Sequence, residues 1–192
     1  VPILGPFLAK EGVRCSLLDR RSDESCRLVA FGEADLGFGL ETTAKNSGLP
    51  VKILPFLRDR HVLITPKGHE LARNESIRFI DTLGHPYVCL QKGAPMMRAL
   101  HERARAVGVR LRPAVEVKSF DLVIRLVAGG AGVAVVPKSA VRPDAGVETV
   151  NLLDGWAVRP LAFVLPAERP PLKIAERFVE RCFAAFASKS EG

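Results

Sequence analysis

The sequence predicts an α/β protein built as two similar, Rossmann-like lobes. First, apolar runs of strand length alternate with stretches whose apolar residues recur at helical spacing. Second, glycines and prolines punctuate the joins between them. Third, RLVAFGEADLGFG at Arg27 to Gly39 is echoed by RLVAGGAGVAVVP at Arg125 to Pro137, with Arg-Leu-Val-Ala repeated and Gly32 lying over Gly130. Each copy predicts the order helix, glycine, strand, and a supersecondary unit used twice argues for two lobes.

Taken in order, VRCSLL (Val13 to Leu18) reads as a strand. Ser22 or Asp23 then caps a helix through DESCRLVAF, Gly32 stops it, and ADLGFG follows as a short strand. VKILPFL and HVLITP read as extended segments and PYVCLQ as a buried strand. A helix is predicted from Pro95 to Val107, with Met97, Leu100, Ala104 and Val107 as its apolar stripe and Gly108 as its end. AVEVK precedes the second echo as VRCSLL precedes the first. Ser119 is the expected N-cap of SFDLVIRLVA, whose stripe is Leu122, Val123, Leu126 and Val127. AVRPLAFVLP reads as a late strand and IAERFVERCFAAFA as an amphipathic terminal helix. Strands alternating with helices favour parallel sheets.

Three glycines at 129, 130 and 132 invite comparison with a phosphate-binding loop. Such a loop runs strand, glycines, helix, so that free N–H groups meet the anion. Here the order is reversed, the G-x-G-x-x-G spacing fails, and no G-K-[ST] follows. The reading is therefore a helix stop, with Gly129 or Gly130 left-handed, leading straight into VAVV, a strand buried on both faces and ended by Pro137.

Composition excludes several classes. Hydrophobic residues make up 47% and charged residues 26% of the 192, ordinary values for a globular protein. No apolar stretch approaches the ~20 residues of a membrane helix. VPILGPFLAK has no basic segment ahead of an apolar core, so it does not resemble a secretory signal, and a chain starting at Val1 without methionine reads as a fragment. The 28 Lys and Arg exceed the 21 Asp and Glu, giving +7. The basic residues are scattered, and one Trp and one Tyr offer little for base stacking. Solvated faces and some preference for anionic small molecules are expected instead. Four cysteines without C-x-x-C spacing fit a reducing compartment, with Cys15 and Cys89 read as buried thiols.

No catalytic constellation is found. His61, His69, His85 and His101 are isolated, and neither H-E-x-x-H nor G-x-S-x-G occurs. No catalytic residue, cofactor or metal ligand is assigned. Ligands of parallel α/β sheets bind beyond the carboxyl ends of strands, near helix starts. That rule singles out Gly39, Leu40, Glu41 and Thr42 after the first echo, and Gly93, Ala94 and Met96 after PYVCLQ. It adds Ser119 and Phe120 at the second echo's helix start and Pro137 at its strand end. Facing lobes would bring these together in one cleft.

GEADLGFG, FLRDRHVLITPKGHELA, TLGHPYVCLQKG and VKSFDLVIRLVAGGAGVAVVPKSA, in this order along nearly the whole chain, resemble the effector-binding domain of LysR-type transcriptional regulators. The resemblance implies the type 2 periplasmic-binding-protein fold, two subdomains joined by two crossover segments with a small effector between them. Subdomain I would comprise 1–60 and 148–192, and subdomain II 61–147. It further implies a cytoplasmic bacterial regulator that binds promoter DNA only through an N-terminal helix-turn-helix domain lying outside this chain. Antiparallel homodimers of regulatory domains within a tetramer would be the assembly. The family's first strand, with the loop that often bears an effector-contacting Ser or Thr, would also precede Val1, and the first helix is shorter than usual. GAPMM stands where the family often carries hydroxyls, so anion capture would rest on the N–H groups of Met96 and Met97. The alternatives are a cytoplasmic enzyme or an exported solute-binding protein on the same fold.

Overall fold

The computed structural model describes residues 3–91, 95–111 and 113–187. The chain divides into two compact units, Val1–Arg58 with Pro160–Gly192, and Asp59–Arg159. It passes between them twice, within β2 (Val51–Pro66) and within β8 (Val158–Pro166).

In the second unit β2 pairs antiparallel with β6 (Ala134–Pro137) on one side and with β7 (Val147–Leu152) on the other. β7 pairs parallel with the short β3 (Ser76–Ile77). β4 (Tyr87–Leu90) pairs parallel with β5 (Pro113–Val117), and it meets the start of β6 through a parallel bridge, Tyr87 to Val133. The order is therefore β5-β4-β6-β2-β7-β3, with β2 alone running against the rest.

Both faces of this sheet are covered, as the period of two in a strand requires. Val62 and Ile64 of β2, with Ala134 and Val136 of β6, pack on α5 (Phe120–Ala128) through Val123, Ile124 and Val127. Leu63, Val133 and Val135 face the other way, onto Met97, Leu100 and Ala104 of α4 (Pro95–Ala106). Each such fully buried Val, Leu or Ile contributes roughly 1.5–3 kcal/mol.

The first unit contains α1 (Leu4–Glu11), α2 (Ser22–Ala30), β1 (Gly37–Leu40), α3 (Glu41–Lys45) and α6 (Lys173–Ala187). β1 pairs antiparallel with β8, Gly37 opposite Val164 and Leu40 opposite Leu161. Cys26 and Val29 of α2 pack with Ala44 and Val164, while Phe163 packs with Val179 and Cys182 of α6.

The echo holds in three dimensions, one copy per unit. α2 ends at Gly32 (φ 78°) before β1, and α5 ends at Gly130 (φ 85°) before β6. Gly130, not Gly129 (φ −80°), supplies the left-handed residue.

Several local expectations differ from what the structure shows. VRCSLL is not a strand: 13–21 form neither helix nor strand, and Leu17 and Leu18 are 73% and 49% exposed. Its apolar pattern suits a strand, but no described strand runs beside it to supply a hydrogen-bond ladder. Cys15 is consequently exposed, whereas Cys26, Cys89 and Cys182 are buried. On α5 the buried stripe includes Ile124 while Leu122 is 46% exposed, and Val107 lies past the end of α4 and is 48% exposed. The N-cap of α2 is Arg21 rather than Ser22 or Asp23; Asp23 ion-pairs with Arg21 instead. The stretch 148–159 clusters with the second unit, because β7 is held there by β2 and β3.

Candidate functional site

Because β4, β5, β6 and β7 run in one direction, their carboxyl ends share one edge of the second unit's sheet. β2 enters at that same edge, so His61 pairs with Pro137. Two residues beyond the end of β5, Ser119 begins α5 as expected: its Oγ accepts the Leu122 N–H at 3.4 Å. Ser119 is exposed, Phe120 is half-buried against the α5 core, and Pro137 is buried. Met96, the second residue of α4, is half-buried and packs on the α4 core beside Met97. No acidic residue occupies the first turn of α4, whereas α5 has Asp121 there. The positive end of the α4 dipole is thus not neutralised by its own helix. Gly93 and Ala94 lie outside the described residues.

In the first unit β1 runs directly into α3. Ser22, rather than capping its own helix, accepts the Leu40 N–H on Oγ at 3.0 Å. A Cβ on Gly39 would stand 2.6 Å from that Oγ, so the strand end approaches α2 as closely as it does only because Gly39 has no side chain. Glu41 forms an i,i+4 ion pair with Lys45, and Thr42 is exposed beside it. The described candidate residues thus fall on strand ends or helix starts, in both units. They offer two exposed hydroxyls (Thr42, Ser119), apolar contacts and backbone groups. Among the described residues no cluster of three His, Cys, Asp or Glu could hold a metal ion.

The sequence reading missed the polar residues of the same edge. Asp59 lies buried where β2 enters the unit and ion-pairs with Arg159 at 2.9 Å. Burial pulls the Arg159 guanidinium below its ordinary value, and the facing carboxylate opposes this. His61 is pushed down to about 4, chiefly by burial, with Arg159 and Arg103 adding to the effect and Asp59 opposing it. Its buried Nδ1 has no hydrogen-bond partner. The Trp156 ring lies 5.9 Å from the imidazole and carries the Arg103 guanidinium at 4.5 Å from its centroid. The available signal was a charged residue breaking each of two strand runs, Asp59 in FLRDRHVLIT and Arg159 in AVRPLAFV.

Two α/β units with helix starts gathered at the carboxyl ends of their strands define a small-molecule-binding domain of the periplasmic-binding-protein-like class. Residues 1–187 match the LysR substrate binding domain, and the chain belongs to that family. It is 25% identical over 174 residues to a probable nitrogen assimilation transcriptional activator of Synechococcus elongatus, covering 88% of this chain and 55% of that protein. It is 24% identical over 156 residues to the HTH-type transcriptional regulator CysL of Bacillus subtilis, covering 79% and 51%. The chain thus spans about half the length of the curated relatives it matches. Among solved structures it resembles the Synechocystis CcmR regulatory domain in complex with 2-PG (TM-score 0.76, 20% identity, 96% of this chain and 89% of that one). It also resembles the BenM effector binding domain with benzoate (TM-score 0.74, 19% identity, 98% and 86%). At these identities the likeness is one of fold. No described helix is long and apolar enough to cross a membrane.

Proposed function

We propose that this chain is the effector-sensing domain of a cytoplasmic bacterial transcription factor. It senses a small molecule and passes the signal to a helix-turn-helix domain outside these residues, without catalysing a reaction. The effector contacts would come from Gly39 to Thr42 in the first unit and from Met96, Ser119, Phe120 and Pro137 in the second, with Gly93 and Ala94 in the α4 approach. The observation that carries this is the repeated placement of the described residues among these on strand ends and helix starts. An anionic effector is favoured by the uncompensated start of α4 and by the net charge of +7. Homodimers of such domains, and tetramers of the whole protein, are the assembly the family resemblance suggests.

The test is a thermal-shift screen of small metabolites that includes benzoate, shikimate and 2-PG, which solved relatives bind. Hits are followed in a promoter reporter carrying the whole regulator. Thr42→Trp and Ser119→Trp should weaken the response while leaving the domain folded. An unchanged response in both variants removes this site assignment. A screen in which nothing raises the melting temperature counts against the effector reading itself.

A further inference from the structure

Asp59 gathers hydrogen bonds from three parts of the second unit. Its Oδ1 accepts the Arg60 N–H at 2.8 Å and the Ser139 N–H at 3.3 Å. Its Oδ2 accepts the Ser139 hydroxyl at 2.7 Å and Arg159 Nη1 at 2.9 Å. Its side chain is 4% exposed, so little water is available to replace a lost donor. Asp59 and Arg159 are also the first and last residues of the unit, where the chain enters along β2 and leaves along β8. Ser139 stands two residues beyond Pro137, in the short 3-10 turn Lys138–Ala140 that continues β6. One buried carboxylate therefore ties the turn after the second echo to both passages of the chain.

A network of this kind does not deform smoothly. A buried carboxylate that loses a donor must find another or remain underbonded at a large cost, so displacement of one partner is felt by the rest. A change at Ser139 is thereby transmitted to Arg60 and Arg159, and the neighbouring His61, neutral near pH 7, adds no competing charge.

We propose that Asp59 is a coupling residue: it transmits movement of the Pro137–Ser139 turn to the two points where the chain leaves the second unit. The sense of the coupling, a ligand contact at Pro137 that shifts the turn behind it, rests on the function proposed above, whereas the coupling itself can be read without a ligand.

The experiment is amide exchange and Arg side-chain NMR on this domain. Ser139→Ala removes the hydroxyl donor alone. It is expected to accelerate exchange of the Arg60 amide by about tenfold and to shift the Arg159 Nε–H resonance, with the amides of Leu63 and Val135 unchanged. Ser139→Thr, which keeps a hydroxyl, should restore both signals, a rescue that simple loosening of the turn would not give. Effects confined to 138–140 overturn the coupling. Asp59→Asn should disturb Arg60 and Ser139 together; if that variant does not fold, the Ser139 pair still decides. With benzoate or shikimate as the probe, wherever one binds, Ser139→Ala should retain affinity and lose the probe-induced change at Arg60. A change at Arg60 that survives in Ser139→Ala also overturns the coupling, while a failed ligand screen overturns only the effector reading.

Discussion

Gly132 lies against the backbone of Pro86: a Cβ on Gly132 would stand 2.3 Å from the Pro86 carbonyl oxygen. The contact accompanies two hydrogen bonds, Val133 N–H to Pro86 O at 2.8 Å and Val88 N–H to Val133 O at 2.9 Å, which join β6 to β4. Gly132 also has φ 140°, a conformation side chains rarely adopt. Gly132→Ala should therefore destabilise the domain by about 3 kcal/mol or more, combining overpacking with backbone strain. Gly130 has φ 85° but open space around it, so Gly130→Ala should cost only about 1–2 kcal/mol. Urea denaturation of the two variants checks the ranking, and equal losses would show that the Pro86 contact is not the deciding one.

Gly39 and Ser22 give a second close approach, here at the candidate site. Gly39→Ala should cost roughly 1–3 kcal/mol, since its Cβ would meet the Ser22 hydroxyl oxygen at 2.6 Å and its Cβ at 2.9 Å. Ser22→Ala alone should cost about 1 kcal/mol by leaving the Leu40 N–H without its acceptor. The double variant should be less destabilised than the sum, because removing the hydroxyl relieves the nearest clash. Relief is only partial, as the Ser22 Cβ remains. Strict additivity in a double-mutant cycle would contradict this packing.

These two glycines mark the boundary of what the sequence discloses. The left-handed residue at Gly130 and the Ser119 cap depend on neighbours along the chain, and both were legible as local chemistry. The contacts of Gly132 with Pro86 and of Gly39 with Ser22 depend on residues brought close by the fold, so the same letters carry no sign of them. VRCSLL shows the converse. Its composition satisfies strand propensity, yet a strand exists only where a neighbour completes its ladder. At the candidate site, strand ends and helix starts could be placed by rule, which singled out Thr42 and Ser119 as candidates among others. The Asp59 network could not be placed, because a charged residue in RDRH reads as solvated until Ser139 and Arg159 arrive from elsewhere in the chain.

The four thiols should separate by reactivity. The thiolate is the reacting species, so burial protects both by shielding and by raising the pKa. Burial pushes Cys89 up to about 12 and also raises Cys26 and Cys182. Cys15, in the 13–21 segment, is exposed and lacks that shielding. Ellman's reagent at neutral pH should label one thiol rapidly in the native domain, and Cys15→Ser should abolish that phase. Rapid labelling that persists in Cys15→Ser would mean that one of the buried sites opens readily.

His61 predicts an unusual acid sensitivity. Its pKa is about 4 in the folded chain against 6.5 for the free side chain. Between these values the unfolded chain binds a proton that the folded chain does not, so stability rises with pH across this window. The contribution is fully present above about 6.5 and is lost progressively as pH falls to about 4. Integrated over the window it amounts to roughly 3 kcal/mol, taking 1.36 kcal/mol per pKa unit. His61→Gln, which cannot titrate, should flatten this part of the stability–pH curve relative to the native sequence. The comparison is made by denaturant unfolding at half-unit pH steps. Parallel curves for the two proteins would place the buried imidazole in water and remove the desolvation on which the shift depends.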